Sequence, residues 1–157
     1  MNLFLTIMIF LFSFNSISAE NQLQSSHTHD WISKAITEWE NVQAHIKNGD
    51  SMLIYSKKYQ YPREADWIVQ FDNALSFLGQ RSDYQIWLKQ FFGNVCPIDT
   101  ATAEVISTMT LNDLSYWITY LNRFDYWNDG EGHYTVIIDE IENGRMEALM
   151  ENLRRKV

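Results

Sequence analysis

The stretch from Thr110 to Phe124 reads TLNDLSYWITYLNRF and indicates the kind of fold that the chain adopts. Its apolar side chains recur at spacings of three and four residues, which is the period of one face of an α-helix. Thr110 can cap the first turn, and Asp113 favours the positive end of the helix dipole. The stripe consists of Leu111, Leu114, Trp117, Ile118, Leu121 and Phe124. A long amphipathic helix is therefore predicted, with its end at Arg123.

The same helical period recurs on both sides of this stretch. Further helices are predicted over residues 30–47, 62–78, 84–91, 100–109, 136–142 and 146–153. Ser82 and Gln85 have capping-box spacing before the third of these helices. The apolar run at residues 136–138 suits a buried strand by composition, but the stop signal Asn143-Gly144 and the acidic residues between them fit a helix better.

Residues 52–61, MLIYSKKYQY, lack the helical period. They are rich in tyrosine and end before a proline, which favours a short strand or an extended connection. Pro62 suits the first turn of the next helix, where Glu64 and Asp66 also favour the positive end of the dipole. The fold class predicted from these patterns is mainly α: a single compact multi-helix bundle, with one short strand or extended segment near residues 52–61.

The N-terminus predicts export. Residues 1–19 have the apolar run and small-residue end of a signal peptide, although basic residues are missing before Leu3. A retained anchor is the rival reading, but the apolar run is about a dozen residues long and a span needs about 20. We therefore expect residues 1–19 to be removed, residues 20–29 to form a flexible leader, and residues 30–157 to form a single helical domain that is periplasmic or secreted and not inserted in a membrane.

The negative charge of the chain favours some classes of binding partner over others. The chain has 20 acidic and 12 basic side chains, a net charge of −8, so nucleic acid is not an expected partner. Between Asp99 and Glu151 there are eleven carboxylates against two arginines, Arg123 and Arg145. Such a face attracts a basic protein and accelerates its encounter, although acidic surfaces also serve solubility alone. The single cysteine, Cys96, excludes an internal disulfide.

The stretch RFDYWNDGEGH, residues 123–133, concentrates charged and aromatic residues and glycine. As a turn, it has Asn and Asp to bond the nearby backbone, glycine for positive φ, and aromatic rings to seal the core beneath. Its arginine can bond terminal helix carbonyls or pair with Asp125, Asp139 or Glu140. As a site, its candidate binding residues are Arg123, Asp125, Trp127, Asp129, Gly130 and His133.

The chemistry that this stretch supports is limited. An EF-hand register fails, because Trp127 and Val136 fall at positions three and twelve, where oxygen ligands are required. His133 has no metal-like spacing to a second His or Cys, so neither a metal nor a cofactor is predicted. Asp125, Asp129 and His133 are of the types that perform acid–base hydrolysis. A turn remains the favoured interpretation, with no catalytic residue assigned.

Residues 110–155 resemble an uncharacterised bacterial domain-of-unknown-function family whose turn reads Arg-x-Asp-Arg-Phe-x-x-Gly and precedes a glycine-broken pair of helices. Arg123, Asp125 and Gly130 match this turn, whereas Trp127 replaces the phenylalanine and Tyr126 replaces the second arginine. Upstream, KKYQYPREADWIVQF and SDYQIWL are similar to the family's tyrosine–proline and aromatic segments, which extends the resemblance over residues 30–155. The resemblance implies a helical fold and no activity.

Two hypotheses of function follow, from different classes. The first is an exported, non-enzymatic binding protein, immunity-like or accessory, whose acidic C-terminal face binds a basic protein partner. The alternative is a small hydrolase with a carboxylate/His site in the 123–133 loop, in which Arg123 holds an anionic substrate. A purely structural envelope component is the third possibility, and it would show neither a partner nor turnover.

Overall fold

A computed structural model of the protein describes residues 28–55, 62–128 and 136–157. Two compact units divide the chain, Met1–Asp30 and Trp31–Val157, and the core described below belongs to the second. The predicted signal peptide and most of the predicted leader lie outside the described residues. Within the described ranges, no helix is both long enough and apolar enough to cross a bilayer.

Helices dominate the described residues, and two short strands pair between the first two helices. The strands are β1, Leu53–Ile54, and β2, Arg63–Glu64, in antiparallel register with Leu53 opposite Glu64. The helices of the described ranges are α1 over residues 28–48, α2 Asp66–Ser76, α3 Tyr84–Phe92, α4 Pro97–Thr100, α5 Ala103–Thr108, α6 Leu111–Asn128, α7 Val136–Glu142 and α8 Arg145–Arg154. The predicted mainly α bundle with a short strand is confirmed.

The first two helices bury the faces that their periodicity predicts. In α1 the fully buried positions are Ile32, Ala35, Trp39 and Val42. The helix stops at Gly49, whose φ of 80° is a left-handed conformation that glycine adopts without steric cost. Trp39 packs on Phe71 of α2 with ring centroids 5.3 Å apart, so the two helices share one core.

The long helix α6 is the centre of this core. Its start is fixed by a reciprocal cap: the Asp113 backbone N–H donates to Thr110 Oγ1 (3.2 Å), and the Thr110 backbone N–H donates to the Asp113 carboxylate (3.1 Å). The fully buried stripe is Leu114, Trp117, Ile118 and Leu121. The predicted capping and the predicted face are therefore confirmed.

Hydrogen bonds between polar side chains hold the connection between α2 and α3 against the side of α6. Arg81 donates to the Tyr116 hydroxyl (2.5 Å), and that hydroxyl donates to the Asp83 carboxylate (2.6 Å). The pKa of Asp83 is held below its usual value, first of all by the Tyr116 hydrogen bond. Trp87 stacks on Tyr116 (5.4 Å) and donates to Asp113 (2.8 Å), which binds α3 to the capped end of α6.

Helices α5 and α8 pack against each other in the C-terminal half. Asn152 is 1% exposed, and its side-chain amide donates to the carbonyls of Ile106 (2.8 Å) and Met109 (2.9 Å). These carbonyls lie at the end of α5, where the last helical carbonyls lack the usual partner four residues on; the Ile106 carbonyl also accepts from the Met109 backbone N–H (3.2 Å). One buried side chain thus terminates α5 and holds it to α8. Arg155 adds a bond to the Ser107 carbonyl (2.9 Å).

Two predicted helix starts are wrong. Pro62 does not begin α2, because Arg63 and Glu64 pair with β1 and the Ala65 backbone N–H donates to the Met52 carbonyl (2.8 Å). The helix therefore starts four residues later, with Asp66 in its first turn. The Ser82–Gln85 capping box is absent from the described start of α3, whose N-cap is Asp83 without a side-chain cap bond. The Asp83 carboxylate is instead engaged by Tyr116.

Two predictions about helix extent are also wrong. The helix expected over residues 100–109 is two helices, α4 and α5, separated at Ala101 and Thr102. Thr102 interrupts the run because its hydroxyl accepts a bond from the Val105 N–H and caps a new helix. Helix α6 does not end at Arg123 but continues to Asn128. No glycine or proline occurs between those two positions, so nothing in the sequence there stops the helix.

Candidate functional site

Of the predicted 123–133 site, the structure describes only the part that belongs to helix α6. Arg123 is exposed on α6, and Asp125 and Trp127 belong to the same helix by their backbone. The side chains of residues 125–128, and the whole of Asp129, Gly130 and His133, lie outside the described residues. The tight turn at residues 128–130 and the carboxylate/His hydrolase site both stay predictions.

A cleft of about 460 Å³ lies instead between α4, the last part of α6, and the α7–α8 corner. We call it the acidic cleft, and its described lining consists of Ile98, Asp99, Phe124, Val136, Asp139, Glu142, Asn143 and Arg145. This volume is within the range of pockets that hold small ligands or a few side chains of a partner, roughly 300–1,000 Å³. Among the described lining residues, Phe124 is the one that belongs to the quoted stretch 123–133.

A buried ion pair holds the base of the acidic cleft. Glu140 on α7 is 1% exposed. Arg145 at the start of α8 binds its carboxylate through two guanidinium nitrogens, Nε at 2.8 Å and Nη2. Nη1 of the same guanidinium donates to the Ile98 carbonyl of α4 at 3.0 Å. Arg145 therefore joins three helices around the cleft. It also removes Glu140 from the set of carboxylates that Arg123 was expected to pair with.

Burial raises the pKa of Glu140 above its ordinary value, and the hydrogen bond and charge of Arg145 oppose that rise. The unfavourable desolvation of the Glu140 carboxylate thus exceeds its favourable interaction with Arg145, as is common for buried ion pairs. The positive charge of Arg145 is matched by Glu140. It leaves the other carboxylates of the cleft without a neutralising cation among the described lining residues.

Those carboxylates belong to Asp99 on α4 and to Asp139 and Glu142 on α7, and all three residues are exposed. Asp139 lies in the first turn of α7, where negative charge is favourable. Glu142 is the last residue of that helix, where the dipole disfavours a negative charge. Local helix stability therefore explains Asp139 but not Glu142.

Apolar side chains complete the walls of the acidic cleft. Phe124 is half-buried and packs on Tyr120 with ring centroids 5.6 Å apart. Burial, together with the nearby carboxylate of Asp99, raises the pKa of Tyr120 to about 12. Its hydroxyl therefore stays protonated at any physiological pH. In the part of the chain that the structure describes, no group of three or more His, Cys, Asp or Glu side chains is arranged to hold a metal ion.

Sequence reasoning identified the acidic region from Asp99 to Glu151 but not the cleft. Asp139 and Glu142 are three residues apart, which places them on the same side of a helix and was the available signal. Asp99 lies forty residues earlier, and only the packing of α4 beside α7 brings it to the same cleft. No protein-family model, curated protein or solved structure matches this chain. The resemblance to an uncharacterised bacterial family therefore stays a prediction.

Proposed function

We propose that this protein is an exported, non-enzymatic binding protein, immunity-like or accessory in role, which captures a basic protein partner on the acidic surface of its C-terminal half. The observation that carries the proposal is the convergence of Asp99, Asp139 and Glu142 on one cleft whose arginine is already paired with Glu140. The apolar run and small residues of positions 1–19 support export.

Electrostatics supports a cationic partner in two ways. The chain as a whole carries a net charge of −8, which steers basic molecules toward it over distances of about 10 Å at ordinary ionic strength. At close range, the three cleft carboxylates lie beside the apolar atoms of Phe124 and Ile98. Because all three carboxylates are exposed, their attraction for a cationic partner is weakened by salt.

The placement of Glu142 supports binding rather than solubility alone. A carboxylate at a helix C-terminus costs roughly 0.3–1 kcal/mol at an exposed site, so a chain selected for stability alone gains by replacing it. Sites at which a local rule is broken without a structural compensation are characteristic of function. A cationic side chain of a partner would supply the compensation at Glu142.

Affinity capture at two salt concentrations tests the proposal. The immobilised protein is incubated with an extract of its own source at about 50 mM and about 500 mM salt, and the bound proteins are identified. We expect a basic protein that is retained at the lower concentration and released at the higher. A triple variant, Asp99→Asn/Asp139→Asn/Glu142→Gln, is expected to lose that protein.

The matched control is Asp30→Asn/Glu38→Gln/Glu40→Gln, which removes three carboxylates of α1 that do not line the cleft. It is expected to retain the partner, since the loss of overall charge alone slows encounter without removing contacts. The proposal fails if no salt-sensitive protein is captured. It also fails if the control loses the same protein as completely as the triple variant does.

A further inference from the structure

Charged and apolar groups alternate within a single wall of the acidic cleft. On α7, Val136 lies one turn before Asp139 but is only 4% exposed, so it adds little apolar surface to the wall. On α4, Ile98 and Asp99 are consecutive and both line the cleft. A ligand that satisfied the carboxylates alone would therefore leave apolar wall in contact with water.

The ring of Phe124 extends this mixed character to a third helix. Its half-buried side chain packs on Tyr120 and also lines the cleft, so one part of the ring belongs to the core and another to the wall. Covering apolar surface on binding favours the complex. A partner gains this term by placing an apolar side chain next to its cation.

Resting on the proposed function, we infer that the acidic cleft recognises a segment of the partner in which an arginine or lysine lies directly beside a bulky aliphatic or aromatic residue. Charge complementarity selects the cation, because Asp99, Asp139 and Glu142 have no cation among the described lining residues other than Arg145, which Glu140 neutralises. The apolar walls select its neighbour. Basic segments whose other residues are small and polar are bound more weakly.

Short blocked peptides test this inference with the full protein. One peptide repeats arginine–leucine, a second repeats arginine–serine and a third repeats glutamate–leucine. Affinities are measured by fluorescence anisotropy at low and high salt. We expect the arginine–leucine peptide to bind about fivefold or more tightly than the arginine–serine peptide, which is the effect of covering part of a leucine side chain. The glutamate–leucine peptide is expected not to bind.

Two variants locate the apolar contribution. Phe124→Ala is expected to remove most of the preference for leucine over serine while leaving the arginine–serine affinity unchanged. Ile86→Ala is the matched control, because Ile86 is 64% exposed on α3 and does not line the cleft. It should leave the preference intact. If Phe124→Ala does not fold, Ile98→Ser takes its place.

The outcomes separate this inference from the proposed function. Equal, salt-sensitive binding of the two arginine peptides would overturn the inference and leave the proposed function standing. A preference for leucine that Ile86→Ala abolishes, or that Phe124→Ala leaves unchanged, would also overturn it, since the apolar contact would then lie elsewhere. Failure of every arginine peptide to bind, at either salt concentration, would refute the inference and count against the proposed function too.

Discussion

Replacing Arg145 by methionine should make the stability of this protein depend on pH in a way that the structure predicts quantitatively. The change keeps the length and apolar part of the side chain but leaves the Glu140 carboxylate, 1% exposed, without its partner. The bond from the guanidinium to the Ile98 carbonyl is lost as well. Both losses occur beneath the acidic cleft, so they also bear on how α4 is held.

The size of the effect has an upper limit. An unpaired, buried Glu140 can become neutral by binding a proton. Keeping it protonated costs at most about 1.4 kcal/mol for each unit by which the pH exceeds its ordinary pKa of 4.5. The limit is therefore about 3 kcal/mol at pH 7, and the wild type already bears part of it because its own Glu140 pKa is raised. The lost bond to Ile98 adds about 1 kcal/mol at any pH. We expect the free energy of unfolding to fall by about 2–3 kcal/mol at pH 7 and by about 1 kcal/mol near pH 4.5.

The direction of the pH dependence follows from the raised pKa of Glu140. Its folded pKa lies above its unfolded value, so its contribution to stability is complete below pH 4.5 and is lost as the pH rises through the folded pKa. Arg145 limits this rise in the wild type. Without Arg145 the folded pKa is higher still, and the loss extends over a wider range toward neutral pH.

Urea unfolding followed by far-UV circular dichroism, at several pH values between 4.5 and 7, measures this effect. The double variant Glu140→Gln/Arg145→Met should recover all but about 1 kcal/mol at every pH, because no buried charge remains. Arg155→Met is the control: Arg155 also donates to a carbonyl, that of Ser107, but it is exposed and has no buried carboxylate. The same destabilisation at pH 4.5 and pH 7, or a double variant no better than Arg145→Met, would refute the reasoning.

Two further predictions concern how helices are held together. Gly79→Ala should destabilise the fold by about 1–3 kcal/mol or more, because an added Cβ would come within 2.5 Å of Ile118 Cγ2 and 2.7 Å of the Thr119 backbone nitrogen; thermal unfolding measures this, and an unchanged midpoint would contradict it. Asn152→Ala should cost about 1–3 kcal/mol, since the Met109 carbonyl loses the Asn152 donor and the Ile106 carbonyl keeps only the Met109 backbone N–H. Asn152→Asp should be at least as harmful at pH 7, and a cost below about 0.5 kcal/mol for either change would contradict this role.

Periodicity predicted most of the helices because it reflects a local property of the chain. The spacing of Ile32, Trp39 and Val42, or of Leu114 and Trp117, is set by which side of a helix faces the core, and each of these residues is buried. Capping of α6 by Thr110 was equally local, since both partners lie within one turn. Features of this kind can be read from a few consecutive residues.

The two wrong helix starts, at Pro62 and at Ser82, lie where residues of other elements form contacts with the chain. Pro62 has the local features of a helix start, but the pairing of Arg63 and Glu64 with β1 delays α2. Ser82 has the features of a cap, but the carboxylate of the next residue, Asp83, is held by Tyr116, more than thirty residues away. At α2 the pairing with β1 displaces the helix start, and at α3 the N-cap residue Asp83 bonds to Tyr116 and makes no side-chain cap bond.

The acidic cleft illustrates the same division. The sequence alone is enough to show that the C-terminal half is acidic, because charge is a property of the residues. It also shows that each helix has one apolar face, because the helical period is set by the order of the residues. Only the tertiary structure decided which carboxylates meet. Arg145 bonds both Glu140 and the Ile98 carbonyl, and it thereby brings Asp99 to the same cleft as Asp139 and Glu142. The physical reason is that packing joins residues by their positions in space, which no spacing along the chain encodes.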